Sequence, residues 1–262
     1  MKIKSDASVR RALLTFATAA GILVAGSALG DDCDFTALRE ETVDAAGIEL
    51  IEIDASAGYL RVVGEDGAGE VRARGEACAS SESLLEEVRL VARRSGDRLR
   101  IIAEIPDSTW GRSTARLDLD LEVPAGIPLE IEDGSGSIEV RHVASVEIED
   151  GSGEIEVEDV TGDLRITDGS GEIEVAGVTG QVRIEDGSGE IDLRRVGSVL
   201  IDEDGSGEIE IVEVAGDVMI RSDGSGSISV REVEGDFTVR RDGSGGIRHE
   251  AVAGLVDVPV DD

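Results

Sequence analysis

The residues in this sequence that are best suited to chemistry are acidic side chains repeated at a nearly constant spacing. The tetrapeptide Asp-Gly-Ser-Gly recurs at intervals of 17 to 19 residues, and acidic residues follow it at fixed offsets. If each repeat forms one turn of a stacked structure, equivalent carboxylates align into rows, and carboxylate oxygens are ligands that Ca²⁺ prefers. The repeats begin at Asp133, Asp150, Asp168, Asp186, Asp204, Asp223 and Asp242.

Two outward rows of carboxylates are the candidate metal ligands, and the repeat aspartates are expected to form a third row at the corner. Exposed like charges one turn apart repel by about 1 kcal/mol or less. In one interpretation the rows keep a long β surface soluble, and each corner aspartate accepts hydrogen bonds from its own turn. In the other, the rows bind Ca²⁺. We favour the first and expect no cofactor beyond weak Ca²⁺. The candidates are Glu154, Glu172, Glu190 and Glu208 in one row, and Glu156, Glu174, Asp192 and Glu210 in the next.

The sequence offers little to an enzyme mechanism. The repeat places its two histidines, His142 and His249, at neighbouring outward positions of the first and last turns, so the stack separates them. A Ser-His-Asp site needs a histidine beside its nucleophile, and the serine of the tetrapeptide is better explained as a small turn residue. Trp110 could be a sugar-binding platform, although a residue that shields the first turn is the favoured interpretation. We therefore predict that the protein is not an enzyme.

The elements that must position these carboxylates are short strands. Each repeat holds two stretches of alternating apolar and polar residues, such as 172–175 and 181–185, which is typical of strands with one buried face. One repeat cannot bury its own apolar face, so stacked repeats must share a core. The constant spacing favours an all-β, single-stranded β-solenoid with a right-handed coil over a meander of hairpins. The predicted inward columns are Ile138, Ile155, Ile173, Ile191, Ile209, Ile228 and Ile247, and Val143, Val160, Val178, Val196, Val214, Val233 and Val252.

The chain divides into three predicted segments. Residues 1–30 combine a basic start, a short apolar run and small residues at its end, which is the pattern of a secretory signal peptide. Residues 31–124 are expected to form an N-terminal β cap with irregular first coils, in which residues 48–53, 59–63 and 70–74 look like worn versions of the repeat. A hairpin around Ser95-Gly96-Asp97 and a short helix near residues 81–87 are also expected. Residues 125–262 form the solenoid.

The cysteines and the charge both bear on the compartment and the partners. Cys33 and Cys78 are the two cysteines, and in an oxidising exported compartment such a pair predicts one disulfide. The formal charge of −33 should repel nucleic acid and anionic membrane surfaces. After removal of the signal peptide, no segment is long and apolar enough to span a bilayer. The sequence therefore predicts an exported protein of the periplasm or cell surface.

The segment 117–140 resembles the bacterial putative-adhesin family of β-strand-repeat envelope proteins, which is related to the head domain of putative autotransporter adhesins. The pattern is a strand, Val-Pro-x-Gly, a second strand and then Ser-Gly-x-Ile-x-Val, and the resemblance extends over roughly residues 46–260. The resemblance implies a β-solenoid exported to the envelope and supplies no catalytic residues.

The sequence-based hypothesis is a non-catalytic envelope protein, an adhesin-like scaffold that presents an acidic face to a protein or glycan partner. A weak divalent-cation-binding module and a polysaccharide-active enzyme of β-helix type are the alternatives. A nearly perfect repeat argues against the enzyme, because a catalytic site requires one coil to differ from its neighbours.

Overall fold

The computed structural model describes residues 33–106 and 114–259. They form a β-solenoid in which each regular coil contributes two strands, one to each of two facing parallel ladders, as the period of the sequence predicts. The handedness of the coil stays a prediction. The predicted signal peptide and Trp110 lie outside the described residues. No helix within the described ranges is long and apolar enough to cross a membrane.

Ladder A contains the strand that ends at each Asp-Gly-Ser-Gly turn, and ladder B contains the strand that follows the turn. From its outer edge, ladder A contains β6 (Arg98–Glu104), β2 (Leu50–Asp54), β8 (Leu129–Asp133), β10 (Val146–Asp150), β12 (Leu164–Asp168), the second halves of β13 (Ile173–Asp186) and β14 (Ile191–Asp204), β16 (Val218–Ile220), β18 (Phe237–Val239) and β20 (Val256–Asp257). Ladder B contains β7 (Ala115–Pro124), β3 (Leu60–Glu65), β9 (Ile138–Val143), β11 (Ile155–Val160), the first halves of β13 and β14, β15 (Gly207–Val214), β17 (Gly226–Val233) and β19 (Gly245–Val252).

The coils stack in register, so each inward residue lies above an identical or similar residue. Ile155 pairs with Ile173, and Ile173 pairs with Ile191. The predicted isoleucine and valine columns are buried from the first repeat to the sixth, and their last members, Ile247 and Val252, are partly buried at the end of the stack. The prediction of the inward columns is confirmed. The two ladders close one continuous hydrophobic core, because neither ladder could bury its apolar face alone.

The first coils are stacked out of sequence order. The β2–β3 coil lies between the later β6–β7 coil on its outer side and the β8–β9 coil on its inner side. Between these coils the chain forms β4 (Glu70–Ala79), α1 (Glu82–Glu87) and β5 (Arg89–Ser95). Residues 48–53 and 59–63 thus belong to the solenoid as expected, but residues 70–74 do not, because β4 runs antiparallel to β7.

Antiparallel strands cover the outer edge of the stack. β1 (Phe35–Asp44) pairs with β4 at the edge of ladder B, and β5 pairs with β6 at the edge of ladder A. The β5–β6 pair confirms the predicted hairpin, and α1 confirms the predicted helix, with Ser81 as the N-cap that accepts the Leu84 N–H. Such cover protects a β edge that could otherwise pair with another chain.

The predicted disulfide between Cys33 and Cys78 is present. Its Cα atoms lie 5.5 Å apart, and the bond links the residues before β1 to the end of β4. It closes a loop of 45 residues, for which loop entropy gives about 4 kcal/mol of stabilisation. The cross-link therefore fastens the cover strand β1 to the strand beneath it.

Candidate functional site

The stacking of ladder B aligns the predicted carboxylates into two outward rows. In the row that begins at Glu156, consecutive strands place Glu174, Asp192 and Glu210 in direct register. The other row lies just after the Asp-Gly-Ser-Gly turn. Each member leads into the next inward isoleucine, and all four members are exposed: Glu154, Glu172, Glu190 and Glu208. The structure thus brings the sequence-predicted residues together as rows on one face.

Arginines lie against the second of these rows. Arg141 contacts Glu139 at 2.8 Å, Glu156 at 2.8 Å and Glu158 at 3.3 Å. Arg194 pairs with Asp192, and Arg231 pairs with Glu210. These exposed pairs contribute little to stability, but they neutralise part of the negative charge of the row. Sequence reasoning assigned this row wholly to carboxylates and missed its arginine partners.

Three other carboxylates lie close enough to Glu172 to affect the pKa of its carboxyl group. Partial desolvation raises the pKa of the Glu172 carboxyl, and the neighbouring charges of Glu174, Glu190 and Glu154 raise it further, in that order. Like charges that cannot move apart favour the protonated form or a bound cation. Among residues 33–106 and 114–259, however, no three His, Cys, Asp or Glu side chains converge as a metal site.

The repeat aspartates are buried, which corrects the expectation that they form an outward corner row. Their exposed fractions fall from 9% at Asp133 to 1% at Asp204. The reason is the parity of the strand, because in β8 the inward residues Leu129 and Ile131 are followed two positions later by Asp133. The buried members are Asp133, Asp150, Asp168, Asp186, Asp204 and Asp223.

The buried aspartates receive some hydrogen bonds from their own turns, as expected. Gly151 N–H donates to Asp150 Oδ1 at 2.8 Å, and Ser188 N–H donates to Asp186 Oδ1 at 3.2 Å. Other carboxyl oxygens in the column are enclosed without a protein partner, including both oxygens of Asp133, Asp168, Asp204 and Asp223. Burial of this kind strongly disfavours the charged form.

The pKa values of these carboxyl groups follow from that burial. Desolvation, followed by the charge of Asp150, raises the pKa of Asp133 and of Asp168 to about 6. Desolvation also raises the pKa values of Asp150 and Asp186, against the opposing effect of backbone N–H donors. In Asp204 and Asp223 burial is again the largest cause of a raised pKa.

The corner opposite the Asp-Gly-Ser-Gly turn carries a shallow groove. One position of each regular coil has a positive φ there, and it is occupied by His142, Asp159, Gly177, Arg195, Glu213, Glu232 and Ala251. Along the later coils this corner encloses about 680 Å³ between residues such as Val196, Glu213 and Glu232. Gly177 is the one member whose residue type signals this conformation in the sequence.

The two histidines are not equivalent, which corrects their placement at neighbouring outward positions. His142 occupies the positive-φ corner, where its Nε2 lies 3.5 Å from Asp66. His249 pairs with Val230 and therefore stands in an inward column, exposed because few residues cover the last coil, with its ring 6.1 Å from that of Phe237. The two side chains thus lie in different columns as well as in distant coils.

Comparisons with known proteins find similar solved structures. No family model matches the chain, and no curated protein matches it. A putative cell adhesion protein from Clostridium sporogenes is 14% identical over 84% of this chain and 98% of its own, with a TM-score of 0.39. A putative adhesin from Parabacteroides merdae is 13% identical over 85% and 96%, with a TM-score of 0.46. A putative lipid binding protein from Parabacteroides distasonis is 18% identical over 85% and 97%, with a TM-score of 0.44.

Several of these descriptions agree with the sequence resemblance to putative adhesins. At identities below 25% and TM-scores below 0.5, the likeness carries no argument about what this chain binds.

Proposed function

We propose that this chain is an exported, non-catalytic scaffold of the bacterial envelope that presents the acidic face of ladder B to a basic or glycan partner. The basic and apolar start of the sequence supports export, and the Cys33–Cys78 disulfide suits an oxidising compartment. Cell fractionation and the mass of the mature chain, expected to start at Asp31, test this part of the proposal.

The observation that carries the proposal is the unbroken register of the acidic coils. Glu156, Glu174 and Asp192 repeat one position of the coil instead of building a single distinctive pocket. Such repetition suits a surface that binds an extended partner, because one partner can make the same contact on several coils. A catalytic site requires convergent groups of different chemistry, and the repeated coils offer the same side chains again.

The proposal predicts that removal of charge from ladder B weakens binding to the envelope. Glu154, Glu172, Glu174 and Glu190 would be replaced by glutamine, and the labelled protein would be assayed on a glycan array and on intact bacterial cells. We expect at least a tenfold loss of affinity, since several contacts of about 0.5 kcal/mol each are lost together.

The matched control removes four exposed charges from the other ladder. Glu130, Glu132, Glu147 and Glu149 point outward from ladder A, so their replacement by glutamine should leave binding within about twofold. Equal losses in the two variants would show that net charge alone drives binding, which contradicts a specific face. Release of reducing ends from an acidic polysaccharide would contradict a non-catalytic role.

A weak Ca²⁺ site on the same face is the second candidate function, and the crowding of Glu172 by three other carboxylates favours it. At equal ionic strength, millimolar Ca²⁺ should raise the melting temperature slightly more than Na⁺ does, because bound cations stabilise the fold by mass action. Replacement of Glu172, Glu174, Glu190 and Asp192 by Gln or Asn should remove this excess. Equal effects of the two salts would leave the rows as surface charge, and a sub-micromolar Kd by calorimetry would make calcium the leading function.

A further inference from the structure

The buried aspartates form a continuous column along the inside of one corner. Asp150 pairs with Asp133 on one side and with Asp168 on the other, and the same register continues to Asp186 and Asp204. The Asp204–Asp223 and Asp223–Asp242 bridges extend it to the last repeat. Neighbouring strands in a sheet are about 4.8 Å apart, so consecutive carboxyl groups are held at close range.

The side chains of consecutive coils contact one another. The Asp204 carboxyl lies against those of Asp186 and Asp223, and the Asp223 carboxyl also lies against that of Asp242. Two ionised carboxylates have only acceptor oxygens, so they cannot form a hydrogen bond with each other. A hydrogen bond between them requires one proton, and the resulting acid–carboxylate pair is a strong interaction.

For several carboxyl oxygens of the column, the described residues offer no other hydrogen-bond donor. Both carboxyl oxygens of Asp204 have less than 1 Å² of exposed surface and no donor in the protein. The charged side chains that most affect the pKa values of these carboxyl groups are other members of the column and, at its N-terminal end, Asp54. No basic side chain is among the main causes of the pKa shifts of Asp133, Asp168, Asp204 and Asp223. Two or more ionised carboxylates enclosed at this spacing would repel strongly.

We propose that the corner aspartates are a proton-binding column, in which a carboxylic acid on one coil donates its proton to the carboxylate of the next. The bound ligand is the proton itself, and it is held inside the solenoid at pH values where an exposed aspartate is fully ionised. The Asp-Gly-Ser-Gly turns supply hydrogen-bond donors to only some of the carboxyl oxygens. Protonated members of the column supply donors to the others.

The column couples folding to pH with a definite sign. Burial and the charges of neighbouring members raise the pKa of Asp133 and Asp168 from 3.8 to about 6, and burial raises the pKa of Asp150, Asp186, Asp204 and Asp223. The folded chain then binds more protons than the unfolded chain above pH 4, so stability falls as the pH rises through the folded pKa values. For each proton that the folded state binds in excess of the unfolded state, the folding equilibrium constant falls about tenfold when the pH rises by one unit.

The pH interval of the test separates the column from ordinary carboxyl groups. A carboxyl group in water has a pKa near 4 and changes its charge little between pH 5.5 and 7.5. A loss of stability between pH 5.5 and 7.5 therefore isolates the column. Both histidines remain in every variant considered, so they do not distinguish one variant from another.

The test compares the full chain with a variant in which Asp168, Asp186, Asp204 and Asp223 are replaced by asparagine. Asparagine has nearly the shape of a protonated aspartate and supplies its own donor without titrating. Urea unfolding of the unchanged chain should give a folding constant that falls at least about tenfold between pH 5.5 and 7.5. The asparagine variant should change about fivefold or less, which is the part expected from Asp133 and Asp150, and it should be the more stable protein at pH 7.5.

The matched control replaces the four exposed carboxylates of the same coils, Glu154, Glu172, Glu190 and Glu208, by glutamine. This variant should keep most of the pH dependence of the unchanged chain, because the replaced side chains are exposed and lie outside the column. If the asparagine variant kept the same pH dependence as the unchanged chain, the proton-binding column would be wrong.

Infrared spectroscopy provides a readout that does not depend on the folding of a variant. At pH 6.5 the unchanged chain should show the C=O stretch of protonated carboxyl groups, and the band should disappear on unfolding in urea. Absence of the band in the folded chain would overturn the proposal. The same measurements with added Ca²⁺ test a cation as the alternative ligand. If Ca²⁺ removed this band and stabilised the unchanged chain but not the asparagine variant, the column would be a cation site instead.

Discussion

Replacement of Ile173 by aspartate is expected to abolish cooperative folding of the solenoid. Ile173 is fully buried between Ile155 and Ile191 in the middle of the stack. An unpaired buried charge at such a position should cost about 4 kcal/mol or more. The total stability of a domain is only about 5–15 kcal/mol. Urea unfolding followed by circular dichroism measures the effect, as loss of the single transition at neutral pH.

The buried aspartates of the corner make this prediction sharper. Asp168, in the same repeat, tolerates burial because the equivalent carboxyl groups of Asp150 and Asp186 lie on either side of it in the proposed proton-binding column. Position 173 lies between isoleucine side chains that offer neither a donor nor a shared proton. Ile173→Val is the control, and it should lose only about 1 kcal/mol and remain cooperative. An aspartate variant that unfolded like the parent would show that the inward assignment of Ile173 is wrong.

The regular coils could be predicted from the sequence because their information is local. Alternation at period two identifies the inward side chains, and a spacing constant within two residues identifies the stack. The inward positions of Ile138 and Val143 are therefore confirmed, and short signals suffice for the hairpin at Ser95-Gly96-Asp97 and the helix that Ser81 caps. The disulfide follows from the pair of cysteines in a chain whose sequence predicts export.

The order of the first coils could not be predicted in this way. The pairing of β2 with β6 and with β8 joins segments far apart in the chain, and alternation within each strand is the same whichever neighbour it has. Pattern alone also made β4 look like a coil, because strand direction leaves no mark on alternation. Long-range pairing thus decides the architecture of the N-terminal region.

The aspartate column was missed for a different reason. The parity of Leu129, Ile131 and Asp133 places the aspartate inward, whereas its charge favours an outward position. The sequence-based interpretation placed the aspartate outward because of its charge. In the structure the backbone geometry decides its orientation, and the side chain points inward. A carboxyl group that the backbone turns inward in every repeat can remain there if it changes its protonation, which residue type alone does not reveal.

Replacement of Gly189 by alanine is the second substitution expected to have a large effect. Gly189 is the last residue of an Asp-Gly-Ser-Gly turn and has a φ of +154°, a conformation that residues with a Cβ atom rarely adopt. A Cβ atom at this position would overlap the carbonyl oxygen of Gly171 in the preceding coil. Because that oxygen belongs to the backbone of the same turn one coil earlier, the coils would have to separate.

The separation would break the bonds that hold the turns together. Gly189 N–H donates to the Ser206 carbonyl at 2.9 Å, and Gly171 N–H donates to the Ser188 carbonyl at 3.0 Å. Strain and lost hydrogen bonds together should cost about 3 kcal/mol or more. Thermal unfolding should therefore show a melting temperature lowered by roughly 6 °C or more for a chain of this size.

Two controls separate coil contact from the loss of a glycine in general. A Cβ atom added to Gly126 would meet no atom within 4 Å, and this glycine has no positive φ, so Gly126→Ala should leave the melting temperature nearly unchanged. Ser188→Ala keeps the backbone of the same turn and should cost less than about 1 kcal/mol, in agreement with serine as a small turn residue. If Gly189→Ala were as mild as Gly126→Ala, close approach of the coils would not be what fixes glycine in every repeat.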